Sequence, residues 1–368
     1  MEKQPILVTG GAGYIGAHVC KTLAKAGFLP ITYDNLSTGH AYAVKWGPFV
    51  QGSLADRDKL KEAFLTYEPK AVIHLAASAI VIESMQDPGK YYRNNFVGTL
   101  SLLETMQECQ VKTLVFSSTC ATYGHPQTIP ITEEHPQQPI NPYGKSKLML
   151  EHIMNDFDSI HGIKTISLRY FNAAGADLAT EIGENHTPET HIIPNIIQTA
   201  LGIRPEVVIY GTDFPSRDGT AVRDYIHVED LARAHLLALQ WILEEKTSRA
   251  INLGTGTGYS VREIIQAIEH HTHLSIPVRI ESSRPGEPFT LVADSRLAYD
   301  LLQWKPLHSD LPTIISSAWK WHELLVDSAV LLRTTIQKIG ASPQIPPRDF
   351  VPWNPLATES SSAAEEDA

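Results

Sequence analysis

The chain has 368 residues, of which 43% are hydrophobic and 19% are charged, and its formal net charge is -11. This apolar content suffices for a large core, so the composition excludes a chain that is disordered as a whole. The acidic balance, without a basic block, argues against nucleic acid as a partner, because nucleic acids are held mainly by clustered lysines and arginines.

The cysteines and the lengths of the apolar runs predict the cellular location of the protein. Cys20, Cys109 and Cys120 lie far apart and lack the spacing of a metal site. Free thiols are typical of cytosolic proteins. The first residues lead into an apolar strand rather than a signal peptide, and no apolar run reaches the roughly 18 residues of a membrane helix. We therefore expect a cytoplasmic protein without a membrane partner.

Short apolar runs alternate with helical segments through the first half of the chain. The predicted strands span residues 6–8, 29–33, 71–75, 113–117 and 164–169. A helix is predicted from His18 to Ala26, because Gly27 follows as a stop signal. This alternation is typical of an α/β fold, here a Rossmann-type, doubly wound parallel sheet.

The alternation ends at about Phe171, where glycine, proline, asparagine and threonine become frequent. This change predicts a smaller C-terminal lobe that binds substrate. The expected domains are a Rossmann domain at 1–174, which binds the dinucleotide, and a mainly substrate-binding lobe at 175–335. A helical pattern followed by a strand predicts that 229–255 returns to the Rossmann domain. Proline, serine and acids at 340–368 predict a disordered tail.

A glycine-rich loop separates the first strand from the first helix. Gly10, Gly13 and Gly16 let the backbone approach a pyrophosphate at a helix N-terminus, where free N–H groups favour anions. Asp34 ends the second strand, where a carboxylate accepts hydrogen bonds from the adenine ribose and repels a 2′-phosphate. The combination predicts NAD, not NADP, as the cofactor.

A tyrosine and a lysine share one face of a later helix. Tyr143 and Lys147 are four residues apart, and an ammonium beside a phenol lowers the pKa of the phenol. The phenolate would take a proton from a sugar hydroxyl while hydride leaves the same carbon. Thr119 ends a strand, where open sheets place their ligands, and is expected to hydrogen-bond the reacting hydroxyl.

These stretches resemble the UDP-glucose 4-epimerase family, also called UDP-galactose 4-epimerase, of the extended short-chain dehydrogenase/reductase superfamily. Dehydratases and decarboxylases of that superfamily carry an acid just after the Ser/Thr position, where this chain has Cys120 and Ala121. The resemblance extends from residue 5 to about 325. It rests on residues 8–16, 33–36, 141–147, 169–172, 219–228 and 252–254.

The resemblance implies reversible epimerisation at C4 of a UDP-hexose through a 4-keto intermediate, with tightly bound NAD. Tyr143 would be the base, Lys147 would hold the nicotinamide ribose, and Thr119 would assist at the hydroxyl. The implied cofactor site consists of Gly10, Gly13, Tyr14, Ile15, Gly16, Asp34, Asn35, Ser53, Leu54, Leu75, Ala76, Asn94, Ser117, Lys147 and Phe171.

The implied UDP-sugar site includes Thr119 and Tyr143. Two of its members, Arg223 and Arg284, would bind the diphosphate and supply the cations that an acidic chain needs for an anionic substrate. The others are Asn172, Tyr210 against the uracil, Glu287 and Leu291. Leu291 stands where the family varies between bulky Tyr and small Cys or Ser, which predicts a preference for sugars that are not N-acetylated.

Some positions depart from the family pattern. Ser53 stands where an Asp often approaches the adenine, and residues 76–79 lack a lysine that some members carry. Histidines 186 and 191 lie in a proline-containing loop, where such spacing is a weak signal, so no metal site is predicted.

Two alternatives stay open, together with the oligomeric state. One is a UDP-xylose/UDP-arabinose 4-epimerase, because residues 117–124 and 139–143 also resemble that plant-type group. The other is a non-catalytic NAD-binding scaffold or sensor. Apolar stripes at about 91–107 and 143–157, together with the resemblance, predict a homodimer that packs through a four-helix bundle.

Overall fold

The strands of the structure begin and end close to the predicted positions. The computed structural model describes residues 3–245 and 247–338. Its strands are β1 (Pro5–Thr9), β2 (Leu29–Asp34), β3 (Phe49–Gln51), β4 (Ala71–His74), β5 (Thr113–Thr119), β6 (Lys164–Tyr170), β7 (Asn172–Ala174), β8 (Val207–Tyr210), β9 (Val222–His227), β10 (Arg249–Leu253), β11 (Gly258–Ser260), β12 (Val278–Glu281) and β13 (Thr290–Leu291).

The helices follow the strands in the order that the alternation predicts. They are α1 (Tyr14–Lys25), α2 (Arg57–Tyr67), α3 (Val81–Gln86), α4 (Pro88–Tyr91), α5 (Gly98–Glu108), α6 (Pro142–His161), α7 (Ile192–Ala200), α8 (Val228–Glu245), α9 (Val261–Thr272), α10 (Arg296–Leu302) and α11 (Leu311–Lys338). A π-helix at Tyr92–Val97 separates α4 from α5. Helix α1 begins earlier than predicted, at Tyr14, because extended Gly13 is its N-cap.

The central sheet has the strand order β10-β6-β5-β4-β1-β2-β3, and every pair in it is parallel. The chain leaves β1 toward β2 and β3 and then returns to the other side at β4. Ligands of doubly wound sheets bind at such a switch point, outside the carboxyl ends of the strands. The expectation of a Rossmann-type fold is confirmed, and the switch point lies at the glycine loop.

Successive residues of the central strands point to opposite faces of the sheet. Ile6 and Val8 belong to a buried cluster that includes side chains of α1 and α8. Leu7 belongs to a second cluster, with side chains of α2, α5 and α6. Both faces are therefore covered, as a parallel sheet requires, and each fully buried aliphatic side chain contributes about 1.5–3 kcal/mol.

The chain after β6 forms smaller sheets beside the large one. Strand β9 pairs with β7 and β13 in parallel and with β11 antiparallel, and β8 pairs with β12. Strand β10 joins the edge of the central sheet next to β6. The domain boundaries stay a prediction.

Residues up to Glu323 form one compact unit, and the described residues from Leu324 onward belong to a second. The predicted tail at 340–368 lies outside the described residues. None of the helices in the described ranges is long and apolar enough to cross a membrane.

A buried ion pair fixes α6 to the central sheet. Arg169 of β6 donates to Glu151 of α6 at 2.6 Å, and both side chains are less than a tenth exposed. Ser118 of β5 donates to the same carboxylate at 2.5 Å, and Tyr123 accepts from Arg169 at 3.0 Å. Because a buried charge without its partner is very unfavourable, this network sets the position of the helix that carries Tyr143 and Lys147.

Candidate active site

The glycine loop is packed too tightly for side chains. Gly10 has a φ of +72°, and a Cβ there would lie 2.6 Å from the backbone nitrogen of Ala76. A Cβ on Gly16 would lie 2.0 Å from the carbonyl oxygen of Gly10. The loop therefore presents bare backbone at the N-terminus of α1. This cradle fits the pyrophosphate of a dinucleotide, which binds to free N–H groups and to the positive end of a helix.

Asp34 lies beside this loop, at the carboxyl end of β2. Its two carboxylate oxygens accept from the backbone N–H groups of Ala12 at 3.0 Å and Leu36 at 2.8 Å. Burial raises the pKa of Asp34, while these two hydrogen bonds lower it. A carboxylate has about four lone-pair sites, so Asp34 retains capacity for ribose hydroxyls.

Several other predicted cofactor residues lie at this edge of the sheet. Leu75 and Ala76 follow β4 and back the glycine loop, and the hydroxyl of Tyr14 donates to Gly175 O at 2.5 Å. Ser53 follows β3, and its carbonyl accepts from Tyr33 at 2.9 Å. Of the remaining predicted members, Asn35 accepts from Ser37 N, Leu54 and Phe171 are buried, and Ile15 packs against the core.

Asn94 is exposed, and its amide donates to Ser78 Oγ at 3.2 Å. The neighbouring Asn95 is buried and holds the loop after β4 from both sides. Its oxygen accepts from Ser78 N at 2.8 Å, and its amide donates to Ser78 O at 3.0 Å. Asn95 is not among the predicted residues, and no local signal identifies it because its partner Ser78 is distant in sequence.

Lys147 lies at the bottom of the site and is 2% exposed. Its Nζ donates to the carbonyl of Ser117 at 2.7 Å and lies 4.8 Å from the centre of the Phe116 ring. Burial lowers the pKa of Lys147 to about 7, because the charged form is poorly solvated there. The structure thus brings Lys147 to the carboxyl end of β5, next to Thr119.

Tyr143 stands in the first turn of α6, where Asn141 caps the helix by accepting from Gly144 N at 2.8 Å. Burial raises the pKa of Tyr143, and a hydrogen bond with Thr119 lowers it by less. Lys147 is expected to lower the pKa of this phenol. That expectation is wrong when only the protein's own groups act on Tyr143, because burial raises the pKa. The ammonium points to Ser117 instead, and the loss of hydration dominates.

Tyr170 and Cys120 also lie near the pair, and neither was predicted to act there. The hydroxyls of Ser117 and Tyr170 hydrogen-bond each other across neighbouring strands β5 and β6. Cys120 is buried, and burial raises the pKa of its thiol to about 12. A thiol of that kind is unreactive, which indicates a structural role for Cys120.

The predicted substrate residues converge through the segment 284–291. Arg223 of β9 is in register with Leu291 of β13 and donates to Phe289 O at 3.3 Å. Asn141, next to Tyr143, donates to Gly286 O at 3.4 Å, so this segment reaches the start of α6. Leu291 is 5% exposed and belongs to the core.

Arg284 and Tyr210 form one stacked pair. The guanidinium carbon lies 3.3 Å from the centre of the tyrosine ring, so the guanidinium covers one face of that ring. Glu287 Oε1 lies 3.7 Å from Arg284. Asn172 lies on β7, in register with Tyr225 of β9.

The lowered pKa of Lys147 implies that the stability of the fold depends on pH. The folded protein releases this proton near pH 7, whereas the unfolded chain keeps it up to the usual value of 10.5. Stability therefore rises with pH in this interval, by at most about 1.4 kcal/mol per pH unit. We expect Lys147→Met to raise the free energy of unfolding more at about pH 6 than at about pH 9, as measured by urea titration.

The matched control is Lys145→Met, which removes an exposed lysine from the same helix and should leave the pH dependence of the wild type intact. An identical pH dependence in Lys147→Met and in the wild type would contradict a buried, weakly basic Lys147.

The chain is similar to proteins of one family along most of its length. Residues 6–254 match the family model described as NAD dependent epimerase/dehydratase family. A UDP-glucose 4-epimerase of Rhizobium leguminosarum bv. trifolii is 48% identical over 322 residues, which cover 88% of this chain and 98% of that relative.

Solved structures agree with this match. The crystal structure of UDP-glucose 4-epimerase from Brucella ovis in complex with NAD has a TM-score of 0.84 at 50% identity, covering 86% of this chain and 98% of its own. UDP-glucose 4-epimerase from Bifidobacterium longum in complex with NAD+ and UDP has a TM-score of 0.84 at 36% identity, covering 87% and 98%. The chain belongs to the NAD dependent epimerase/dehydratase family and, within it, to the UDP-glucose 4-epimerases.

Proposed function

We propose that this protein interconverts UDP-glucose and UDP-galactose by reversible epimerisation at C4, with tightly bound NAD. The observation that carries this proposal is the grouping of Tyr143, Thr119 and Lys147 at the carboxyl end of β5, at the sheet edge that also holds the glycine loop. NAD, when bound, supplies a hydride acceptor that returns the same hydride, so the overall reaction needs no external oxidant.

The chain's own residues then have distinct tasks. The Tyr143 oxygen takes the proton of the sugar's 4-hydroxyl and later gives it back, and Thr119 hydrogen-bonds that hydroxyl. Lys147 would hold the nicotinamide ribose, and the positive charge of a nicotinamide ring bound there would lower the Tyr143 pKa that burial has raised. Arg223 and Arg284 bind the diphosphate of the UDP-sugar.

The residues after Thr119 favour epimerisation over related chemistries. Elimination of water or loss of carboxylate needs an acid–base group for the neighbouring carbon, and the chain has Cys120 and Ala121 there. Burial raises the pKa of the Cys120 thiol to about 12, which leaves it protonated and unable to act as a base at neutral pH.

The direct test is incubation of the purified protein with UDP-galactose, without added NAD, and detection of UDP-glucose by NMR. Tyr143→Phe keeps the ring and removes the hydroxyl. We expect turnover to fall by about 10²- to 10⁴-fold, the usual contribution of general acid–base catalysis, while acid still releases NAD from the variant. Near-normal turnover would contradict the role of Tyr143.

The same assay separates the alternatives. Conversion of UDP-xylose but not of UDP-galactose would favour the pentose enzyme. An NAD-loaded protein that converts neither sugar pair would favour the scaffold.

Leu291 is proposed to set the response to N-acetylated sugars. It lies opposite Arg223 in the sheet, and its apolar side chain cannot pair with an amide. Burying an unpaired amide costs about 1–3 kcal/mol, which corresponds to roughly ten- to a hundredfold in rate. We expect the kcat/KM ratio of N-acetylated to plain UDP-sugar to rise in Leu291→Ser and to fall sharply in Leu291→Tyr.

Activity on plain UDP-glucose controls for folding of both variants. Val292→Ala removes apolar volume at the adjacent buried position and should leave the ratio unchanged. If Leu291→Ser and Leu291→Tyr also leave it unchanged, Leu291 does not contact the sugar.

A homodimer through α5 and α6 is part of the proposal. Val97, Met149 and Ile160, on or beside these helices, are 51%, 45% and 73% exposed, so they offer apolar area that a second copy could bury. We expect a dimer by sedimentation at about 1 μM, and dissociation in Met149→Glu but not in Leu65→Glu, which alters an exposed apolar residue of α2. A monomeric wild type would contradict this interface. The cytoplasmic location stays a prediction.

A further inference from the structure

Four side chains that no proposed catalytic step uses meet in the loop before α7. They are Glu184, His186, Glu189 and His191, and each contributes one oxygen or nitrogen atom to a group within 4.8 Å of one another. Sequence spacing alone indicates ordinary polar histidines here. The fold adds two nearly buried glutamates to the two histidines, and that combination changes the interpretation.

The separations lie on either side of the spacing between ligands of one small cation, and the shortest pair, His191 Nδ1 and Glu184 Oε1, would have to move apart when an ion binds. His191 Nδ1 lies 2.5 Å from Glu184 Oε1 and 3.3 Å from Glu189 Oε1. His186 Nδ1 lies 3.1 Å from Glu184 Oε1 and 3.8 Å from Glu189 Oε2. Ligand atoms about 2.0–2.1 Å from a tetrahedral zinc ion are roughly 3.3 Å apart, near the middle of this range.

A second observation points to a missing ligand rather than to a complete ion-pair network. Glu189 Oε2 is buried and has no hydrogen-bond partner among the described residues, although its side chain is only 2% exposed. The 3.8 Å to His186 Nδ1 is too long for a hydrogen bond. An unpaired buried carboxylate oxygen is unfavourable, and a cation between it and the imidazole would satisfy both.

The donor set selects the class of cation. Imidazole nitrogen suits zinc and its transition-metal neighbours, whereas calcium and magnesium prefer oxygen ligands throughout. Two carboxylates also neutralise a dication. We propose that Glu184, His186, Glu189 and His191 bind one divalent transition-metal ion, with zinc as the best match.

The surroundings orient the ligands and leave a route for the ion. Thr190 N and His191 N donate to Glu189 Oε1 at 2.7 and 2.9 Å, and Trp321 Nε1 donates to the backbone carbonyl of Glu184 at 2.8 Å. The side chains of His186 and His191 are 27% and 48% exposed, so solvent reaches the site.

The site would connect the loop before α7 to the glycine loop. His186 packs edge-on against the Tyr14 ring, with the ring centres 6.2 Å apart, and His40 Nε2 lies 2.7 Å from Asn185 O. With four protein ligands and no open position, the ion is structural rather than catalytic. It would stabilise the folded chain by mass action.

The test is titration of zinc into the full-length protein, first treated with a chelator and dialysed, by calorimetry at about pH 7.5. We expect one zinc ion per chain and an increase in melting temperature. His191→Gln and Glu184→Gln should each weaken binding at least tenfold and abolish the thermal shift. Circular dichroism verifies that both variants fold; if Glu184→Gln fails to fold, His191→Gln, at a half-exposed position, decides the outcome.

The matched control is His270→Gln, which removes an exposed histidine from the last turn of α9, outside the four-residue group, and should leave zinc binding intact. Three results would overturn the proposal. The first is the absence of saturable one-to-one binding, and the second is equal binding in the wild type and in His191→Gln. The third is loss of binding in His270→Gln. Each of them would indicate an adventitious ion only.

Discussion

The burial of one ammonium group organises the site. Lys147 is nearly inaccessible to solvent and donates to the carbonyl of Ser117, so the first turns of α6 cannot move away from the end of β5 without breaking this buried hydrogen bond. The Glu151–Arg169 pair, one turn further along the same helix, fixes it to β6. Between them these contacts bring the phenol of Tyr143 and the hydroxyl of Thr119 together at the edge where a parallel sheet binds its ligands.

Charge is distributed so that an acidic chain can bind two anionic molecules. The glycine loop offers backbone N–H groups and a helix dipole instead of side-chain cations. Neither Ser53 nor residues 76–79 add charge there. In the function we propose, Arg223 and Arg284, which lie at the segment 284–291, would bind the diphosphate of the substrate.

The features that depend on local sequence could be predicted. Glycines between a strand and a helix, an acid at the end of the second strand, and a tyrosine and lysine four residues apart each indicate a structure within a few residues of themselves. The parallel sheet followed from the same alternation of strands and helices. Helix α1 begins earlier than expected because its N-cap is Gly13 in an extended conformation. Glycine has no capping side chain that would mark this position in the sequence.

The features that depend on distant partners could not be predicted. Asn95 hydrogen-bonds Ser78 in the loop after β4, and the buried ion pair joins Glu151 of α6 to Arg169 of β6; neither partner is indicated by local sequence. The predicted direction of the Tyr143 pKa shift is wrong for a related reason. Spacing identifies the nearest charge, but burial depends on the whole core, and here burial dominates.

The central claim is that the hydrogen at C4 of the sugar leaves as a hydride and returns to the same carbon within one binding event. The most direct measurement is conversion of UDP-galactose labelled with deuterium at C4, in ordinary water and without added NAD, followed by NMR. We expect the label to stay at C4 of the UDP-glucose that forms, because a hydride held inside the protein does not exchange with solvent. Unlabelled UDP-glucose, with deuterium released to water, would contradict the mechanism.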